Sequence, residues 1–147
     1  MQELKADIFF WTRHGEYGYC SNFYRADIDI DGTIYPTVEH YYQSQKTLDV
    51  GERAMIMECW TPKEAKFAGY HVKLRSDWED MKDFVMLKGL WTKFTQHEGL
   101  KEKLLATGNA TLHENSPWDK YWGYARGKGL DMLGRLLMQV RADLVRE

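Results

Sequence analysis

The chain has 147 residues, of which 44% are hydrophobic and 29% are charged, and these proportions are typical of a globular domain and exclude a disordered chain. Its net charge of −2 argues against a broad basic surface for duplex nucleic acid, although a local basic cluster for one nucleotide remains compatible with it. No stretch reaches the roughly 20 apolar residues of a membrane span, and the N-terminus does not resemble a signal peptide, so we expect a cytoplasmic protein.

The first 35 residues contain the strand signals. Residues 8–11 form a short apolar run, and residues 26–35 alternate polar and apolar side chains around an Asp31-Gly32 turn. Asp-Gly between alternating residues is typical of a β-hairpin. We therefore predict a small β element at the N-terminus.

From Pro36 onward the pattern is helical. Apolar periodicity and capping residues predict helices at residues 37–48, 50–60, 61–69, 77–94 and 100–106, and a last helix whose stripe is Leu130, Leu133, Leu137, Val140 and Leu144. The helix at 77–94 is apolar nearly all round, which predicts a buried position at the centre of the fold. The fold class is therefore mainly α, a single compact helical domain over residues 1–147.

Neither cysteines nor histidines are spaced as metal ligands. Cys20 and Cys59 form no CxxC pair, and the five histidines are scattered along the chain. We expect no metal site.

A polar loop comes directly before the hairpin. Ser21, Asn22 and Phe23 offer a hydroxyl, an amide and a ring, which suit a binding loop. A local turn that uses Ser and Asn for its own hydrogen bonds explains the same residues, and the pattern alone favours it.

A second polar group lies on the first predicted helix. Glu39, Gln43 and Lys46 have the spacing of one helix face. A carboxylate, an amide and an amine there could hold a sugar and move protons. The alternative is a solvated face with ordinary side-chain pairing, and both interpretations stay open. Arg75 follows a basic stretch and is a candidate second phosphate ligand.

A third segment leads into the last helix. Gly127 and Gly129 would let backbone N–H groups approach a phosphate at the helix N-terminus, and Arg126 and Lys128 add charge. Trp122 could stack on a base. The spacing matches neither a P-loop nor a dinucleotide-binding fingerprint, so a flexible basic loop remains the alternative.

Seven motifs together resemble the NADAR family, also called YbiA-like. They are Ser-Asn-Phe at 21–23, the run YPTVEHYYQSQK at 35–46, RSDW at 75–78, KDFVM at 82–86, LATG at 105–108, YWG at 121–123 and GKGLDMLG at 127–134. The resemblance covers nearly the whole chain in order. Asp131 departs from it, because the family usually has Asn there, and this could alter a contact to a sugar hydroxyl.

The resemblance implies a mainly helical fold and an N-glycosidase that needs neither a metal nor another cofactor. Its substrates would be ribosylamino-pyrimidine phosphates, the early intermediates of riboflavin biosynthesis, or ADP-ribose attached to guanine in nucleic acid. A non-catalytic module that binds ADP-ribose or another nucleotide is the alternative. Glu39 and Lys46 are the candidate catalytic residues. The candidate substrate-binding residues are Ser21, Asn22, Phe23, Gln43, Arg75, Trp122, Gly123, Arg126, Gly127, Lys128, Gly129 and Asp131.

Cleavage of the bond between C1′ and nitrogen develops positive charge on the sugar, which a carboxylate such as Glu39 would stabilise. Lys46 has two roles open to it. As an ammonium it would bind phosphate or hold the leaving nitrogen, and as a neutral amine it would attack C1′ and form a Schiff base.

Overall fold

The computed structural model describes residues 3–147, and these confirm the mainly α fold class. They contain six α-helices: α1 (Val38–Ser44), α2 (Val50–Met57), α3 (Pro62–Gly69), α4 (Trp78–Gln96), α5 (Glu98–Ala106) and α6 (Met132–Val145). The strands in this part of the chain are three residues each: β1 (Ile8–Phe10), β2 (Ile28–Ile30), β3 (Thr33–Tyr35) and β4 (Leu112–Glu114). None of the helices is long and apolar enough to cross a membrane, as far as the described residues go.

The chain divides into two compact units. Unit 1 takes in the chain up to Tyr24 together with His97–Glu147, and unit 2 is Arg25–Gln96. The single domain over residues 1–147 therefore stays a prediction, and each unit is described by itself.

Unit 2 begins with the predicted hairpin. β2 and β3 pair antiparallel around Asp31 and Gly32, whose φ angles are 54° and 86°. Two consecutive residues with positive φ are typical of the turn that joins tightly twisted strands, so the hairpin prediction is confirmed.

α1 begins where expected but ends earlier. The Thr37 hydroxyl accepts a hydrogen bond from the backbone N–H of His40 at 3.1 Å and caps the helix. The helix ends at Ser44, not at residue 48, and Gln45 is its C-cap. The carbonyl of Lys46 instead accepts a hydrogen bond from the backbone N–H of Arg75 at 2.7 Å. Beyond the end of α1, the chain is thus hydrogen-bonded to a residue that is remote in sequence.

α3 follows its sequence signals. The Thr61 hydroxyl accepts from the backbone N–H of Glu64 at 3.1 Å, Pro62 occupies the first turn, and the helix ends at Gly69 as predicted.

α4 is found within two residues of its predicted ends, but it is not buried all round. Phe84 is 59% exposed, and Glu79 and Asp80 are exposed as well. In unit 2, α4 packs against α1 and β2. At 1.5 Å per residue α4 is about 28 Å long, whereas α1 has only 7 residues and can cover only part of it.

Unit 1 joins the two ends of the chain. β1 pairs in parallel with β4, with Ile8 opposite Leu112 and Phe10 opposite Glu114. α6 packs against β4 and α5, and its predicted stripe is buried from Leu133 to Leu144. Leu130 was wrongly assigned to the stripe: it precedes the helix and is 54% exposed.

Candidate functional site

A buried carboxylate and amide form the centre of the candidate site in unit 2. Glu39 and Gln43 lie one turn apart on α1 and are only 7% and 3% exposed. The Gln43 Nε2 donates a hydrogen bond to Glu39 Oε2 at 2.6 Å. The sequence prediction that these two side chains share a helix face is confirmed, and the amide holds one carboxylate oxygen in a defined direction.

Lys46 reaches the same region by another route. It lies beyond the end of α1, so its predicted place on the helix face is wrong. Burial lowers the pKa of Lys46, the charge of Glu39 raises that pKa, and the charge of Lys66 lowers it; the net shift is downward from the ordinary value. An amine with a lowered pKa thus lies within the electrostatic range of the Glu39 carboxylate, where it can be deprotonated more readily than an ordinary lysine.

Two tyrosine rings lie near the Lys46 amine. Its Nζ lies 5.7 Å from the centre of the Tyr42 ring and 5.6 Å from that of the Tyr70 ring, which is the range of a cation–π interaction. Tyr70 is the C-cap of α3 and is 68% exposed. Sequence reasoning missed Tyr70, although an aromatic residue directly after the predicted helix end at Gly69 was a signal that could have drawn attention to it.

Arg75 is tied to the Lys46 segment. Besides its backbone bond to the Lys46 carbonyl, its guanidinium makes two hydrogen bonds to the Asp77 carboxylate, at 2.6 and 3.1 Å. The Asp77 hydrogen bond raises the pKa of Arg75. Arg75 therefore stabilises the chain segment after α1 through its backbone hydrogen bond. The positive charge of its guanidinium is paired with the Asp77 carboxylate.

The remaining histidine of α1 is structural. His40 is fully buried, its Nδ1 lies 2.7 Å from the Thr37 hydroxyl, and its Nε2 lies 2.9 Å from the Cys59 carbonyl. Burial lowers the pKa of His40, which favours the neutral ring.

The polar loop of unit 1 makes its own turn. The Ser21 hydroxyl accepts a hydrogen bond from the Phe23 N–H at 3.1 Å, and the Ser21 carbonyl accepts one from the Tyr24 N–H at 3.1 Å. These are the bonds expected of a turn. Ser21 and Asn22 are both buried.

Glycines allow close packing around Trp122. The Trp122 ring packs edge-on against Tyr121, with ring centres 4.9 Å apart. A Cβ at Gly123 would lie 2.5 Å from Glu114 Oε2, and one at Gly129 would collide with the Gly123 carbonyl. Both glycines are therefore required by the packing of the chain on itself.

The loop before α6 has an unusual backbone. Ala125, Arg126 and Gly127 have consecutive positive φ angles of 47°, 56° and 87°. The N–H groups of Gly127 and Gly129 both donate to the Tyr124 carbonyl, at 3.0 and 2.9 Å. These amides are thus used within the loop, which leaves the exposed side chains of Arg126 and Lys128 as its remaining predicted phosphate ligands.

The N-terminus of α6 is also satisfied by the chain itself. The Met132 N–H donates to the Tyr121 carbonyl and the Leu133 N–H to the Trp122 carbonyl, both at 3.1 Å. The predicted use of this helix end as a phosphate site therefore finds no support in the backbone.

Asp131 is bound to β4. One carboxylate oxygen lies 2.7 Å from His113 Nδ1, and the other accepts a hydrogen bond from the Glu114 N–H at 3.0 Å. His113 Nε2 in turn lies 3.1 Å from an oxygen of Asp7. Sequence reasoning missed His113, because 18 residues separate it from Asp131. Among the described residues no three His, Cys, Asp or Glu side chains are grouped as metal ligands.

Comparison with known proteins places these residues in a family context. The family model for the NADAR domain matches residues 9–145. An N-glycosidase YbiA from Shigella flexneri is 43% identical over 143 residues, which cover 95% of this chain and 89% of that protein. A riboflavin biosynthesis protein of Vibrio vulnificus is 36% identical over 144 residues, covering 96% of this chain but 39% of the longer protein. The NMR structure of the E. coli protein YbiA superimposes with a TM-score of 0.89 at 41% identity, covering 98% of this chain and 88% of that one.

Proposed function

The chain belongs to the NADAR family, and from that membership we infer that it is an N-glycosidase that hydrolyses the C1′–N bond of a ribose-phosphate compound. The observation that carries the inference within this chain is the group formed by Glu39, Gln43 and Lys46. It combines a buried, amide-held carboxylate with an amine of lowered pKa.

Glu39 acts on the sugar. Protonation of the imines that form at C1′ on the route described below places positive charge beside that carbon, and a buried carboxylate stabilises that charge more strongly than one in water. Gln43 binds one Glu39 oxygen and so fixes the direction of the carboxylate that we assign to the sugar. The same carboxylate then accepts a proton from the attacking water.

Lys46 acts on the ring-opened substrate. An N-glycosylamine opens to an imine between C1′ and the base nitrogen. The neutral Lys46 amine adds to C1′, and the base leaves as a free amine after it takes up a proton. Water then hydrolyses the lysine imine to the sugar aldehyde and returns the amine. The lowered pKa of Lys46 supports this route.

We assign the substrate to the ribosylamino-pyrimidine phosphates. The Vibrio relative that contains a similar segment is named a riboflavin biosynthesis protein, and the net charge of −2 suits a small molecule better than a polyanion. Four binding roles in unit 1 stay predictions from the sequence: Trp122 for a base, Asn22 for a sugar hydroxyl, and Arg126 and Lys128 for phosphate.

The test is a side-by-side assay of base release from a ribosylamino-pyrimidine phosphate and from an ADP-ribosylated guanine oligonucleotide. We expect faster release from the first. Preference for the oligonucleotide would replace the substrate class, and no release from either would favour a binding module over an enzyme.

The variant Glu39→Gln should fold normally and lose about 10²-fold or more in kcat, because it removes the charge that faces the developing cation. Glu58→Gln is the matched control, since Glu58 is an exposed carboxylate at the end of α2. Near-full activity of Glu39→Gln would remove Glu39 from the mechanism.

Borohydride added during turnover should reduce the lysine imine to a stable amine. Mass spectrometry should then find the mass of the reduced sugar phosphate on Lys46, and Lys46→Arg should abolish both the adduct and turnover. Lys63→Arg, which changes an exposed lysine of α3, should abolish neither. An active Lys46→Arg enzyme would eliminate the covalent route and leave Lys46 as a cationic ligand.

A further inference from the structure

The last residue of α3 lies against the Gln43 side chain. A Cβ built at Gly69 would collide with Gln43 Oε1 and would lie 2.8 Å from Gln43 Cδ and 3.3 Å from Gln43 Cβ. Real Cβ atoms essentially never come within 3.0 Å of such atoms, so any larger residue at 69 must displace the Oε1 and Cδ atoms of the Gln43 amide.

The backbone does not explain this glycine. Gly69 is the last residue of a regular helix, and it is not among the glycines with positive φ. Alanine would favour such a helix over glycine by about 1 kcal/mol. What glycine supplies here is the space beside its Cα.

The Gln43 amide occupies the space beside the Gly69 Cα. Its Nε2 donates to Glu39 Oε2 at 2.6 Å, while its Oε1, which faces Gly69, is buried without a hydrogen-bond partner among residues 3–147. Gln43 is 3% exposed, so the amide has little room to move elsewhere. Its orientation is set at one end by the Glu39 carboxylate and at the other by the space at Gly69.

We propose that Gly69 is a positioning residue of the N-glycosidase site: its missing side chain makes the space that holds the Gln43 amide on the Glu39 carboxylate. The inference rests on the proposed function, in which Glu39 faces the sugar. It assigns α3 a part in catalysis through its packing, with no contact between Gly69 and the substrate.

Gly69→Ala should therefore reduce kcat by about tenfold or more, because a displaced amide no longer holds the charged carboxylate in place. KM should change little, since Glu39 acts on the charge that develops in the transition state. Gly99→Ala is the matched control: Gly99 lies in helix α5, and a Cβ there meets nothing within 4 Å.

A double-mutant cycle with Gln43→Ala separates positioning from general damage. Alanine at 43 has no amide to displace, so Gly69→Ala added to Gln43→Ala should lower neither kcat nor the melting temperature further. If Gly69→Ala alone does not fold, the double variant should fold as well as Gln43→Ala, and this comparison still tests the proposal.

Two results would overturn the inference. One is full activity in Gly69→Ala, and the other is a further loss when Gly69→Ala is added to Gln43→Ala. Failure of the proposed function looks different: either the wild-type protein releases no base from the substrate, or Glu39→Gln keeps wild-type turnover, whatever Gly69→Ala does.

Discussion

At the scale of single residues, Lys46 shows how burial and four neighbouring side chains act on the pKa of one amine. Burial and the charge of Lys66 lower its pKa, while the charge of Glu39 raises it. The Tyr42 and Tyr70 rings on either side favour its protonated form by cation–π attraction. The net shift of the Lys46 pKa is downward, which favours the neutral amine that the proposed lysine imine requires.

Lys66→Ala tests this balance through the pH dependence of turnover. A reaction that needs the neutral amine gains rate as the pH rises through the pKa of Lys46. Removing the positive charge of Lys66 raises that pKa, so the rising limb of the kcat profile should move to higher pH. Added salt should reduce the difference between the variant and the wild type.

Lys63→Ala is the control for that measurement, because Lys63 lies on the same helix and is also exposed. Its profile should coincide with that of the wild type. A limb that stays in place or moves to lower pH in Lys66→Ala would mean that the free amine of Lys46 does not limit turnover.

At the scale of elements, the loop before α6 combines a costly backbone with exposed cations. Ala125 and Arg126 both have positive φ, which costs energy in residues other than glycine. The turn is held by its own N–H groups, since Gly127 and Gly129 share the Tyr124 carbonyl. A loop fixed in this way presents the Arg126 and Lys128 side chains from a defined backbone.

Lys128→Ala should raise KM for a phosphorylated substrate and leave KM for the dephosphorylated form unchanged, because the ammonium binds only the phosphate. Steady-state kinetics on the two substrates measures the difference. Lys120→Ala is the control, since Lys120 is an exposed lysine whose contact to Leu130 uses only its backbone carbonyl. Equal effects of Lys128→Ala on both substrates would show that the loop does not bind phosphate.

At the scale of the whole molecule, an early and a late segment of the chain belong to the same compact unit. Unit 1 contains both ends, joined by the parallel pair β1–β4, whereas unit 2 is one continuous segment. Contacts between residues about a hundred positions apart reduce the conformational entropy of the chain, and the burial of apolar side chains must offset that loss. Phe10 on β1 is one of the buried apolar side chains that contribute to this stabilisation.

Phe10→Ala should lower the free energy of unfolding by about 3–5 kcal/mol, the usual effect of removing a buried aromatic ring. Urea denaturation followed by circular dichroism measures it. Leu4→Ala is the control, because Leu4 is exposed and its removal opens no cavity. A Phe10→Ala midpoint equal to that of the control would mean that β1 adds little to the stability of unit 1.

The sequence by itself determined what depends on near neighbours. The hairpin at Asp31-Gly32, the cap at Thr61, and the pairing of Glu39 with Gln43 could all be predicted, because turn chemistry, capping and helix periodicity act within a few residues. The family motifs identified the N-glycosidase.

Only the tertiary structure decided what depends on distant partners. The backbone N–H of Arg75 binds the Lys46 carbonyl beyond the end of α1, and the Lys46 amine lies near the rings of Tyr42 and Tyr70. His113 binds Asp131 in the same way, through a pairing that local pattern does not reveal. The space at Gly69 exists only because α3 packs on α1. Packing brings together residues whose separation along the chain carries no periodic signal, and it can override the local preference for a longer helix.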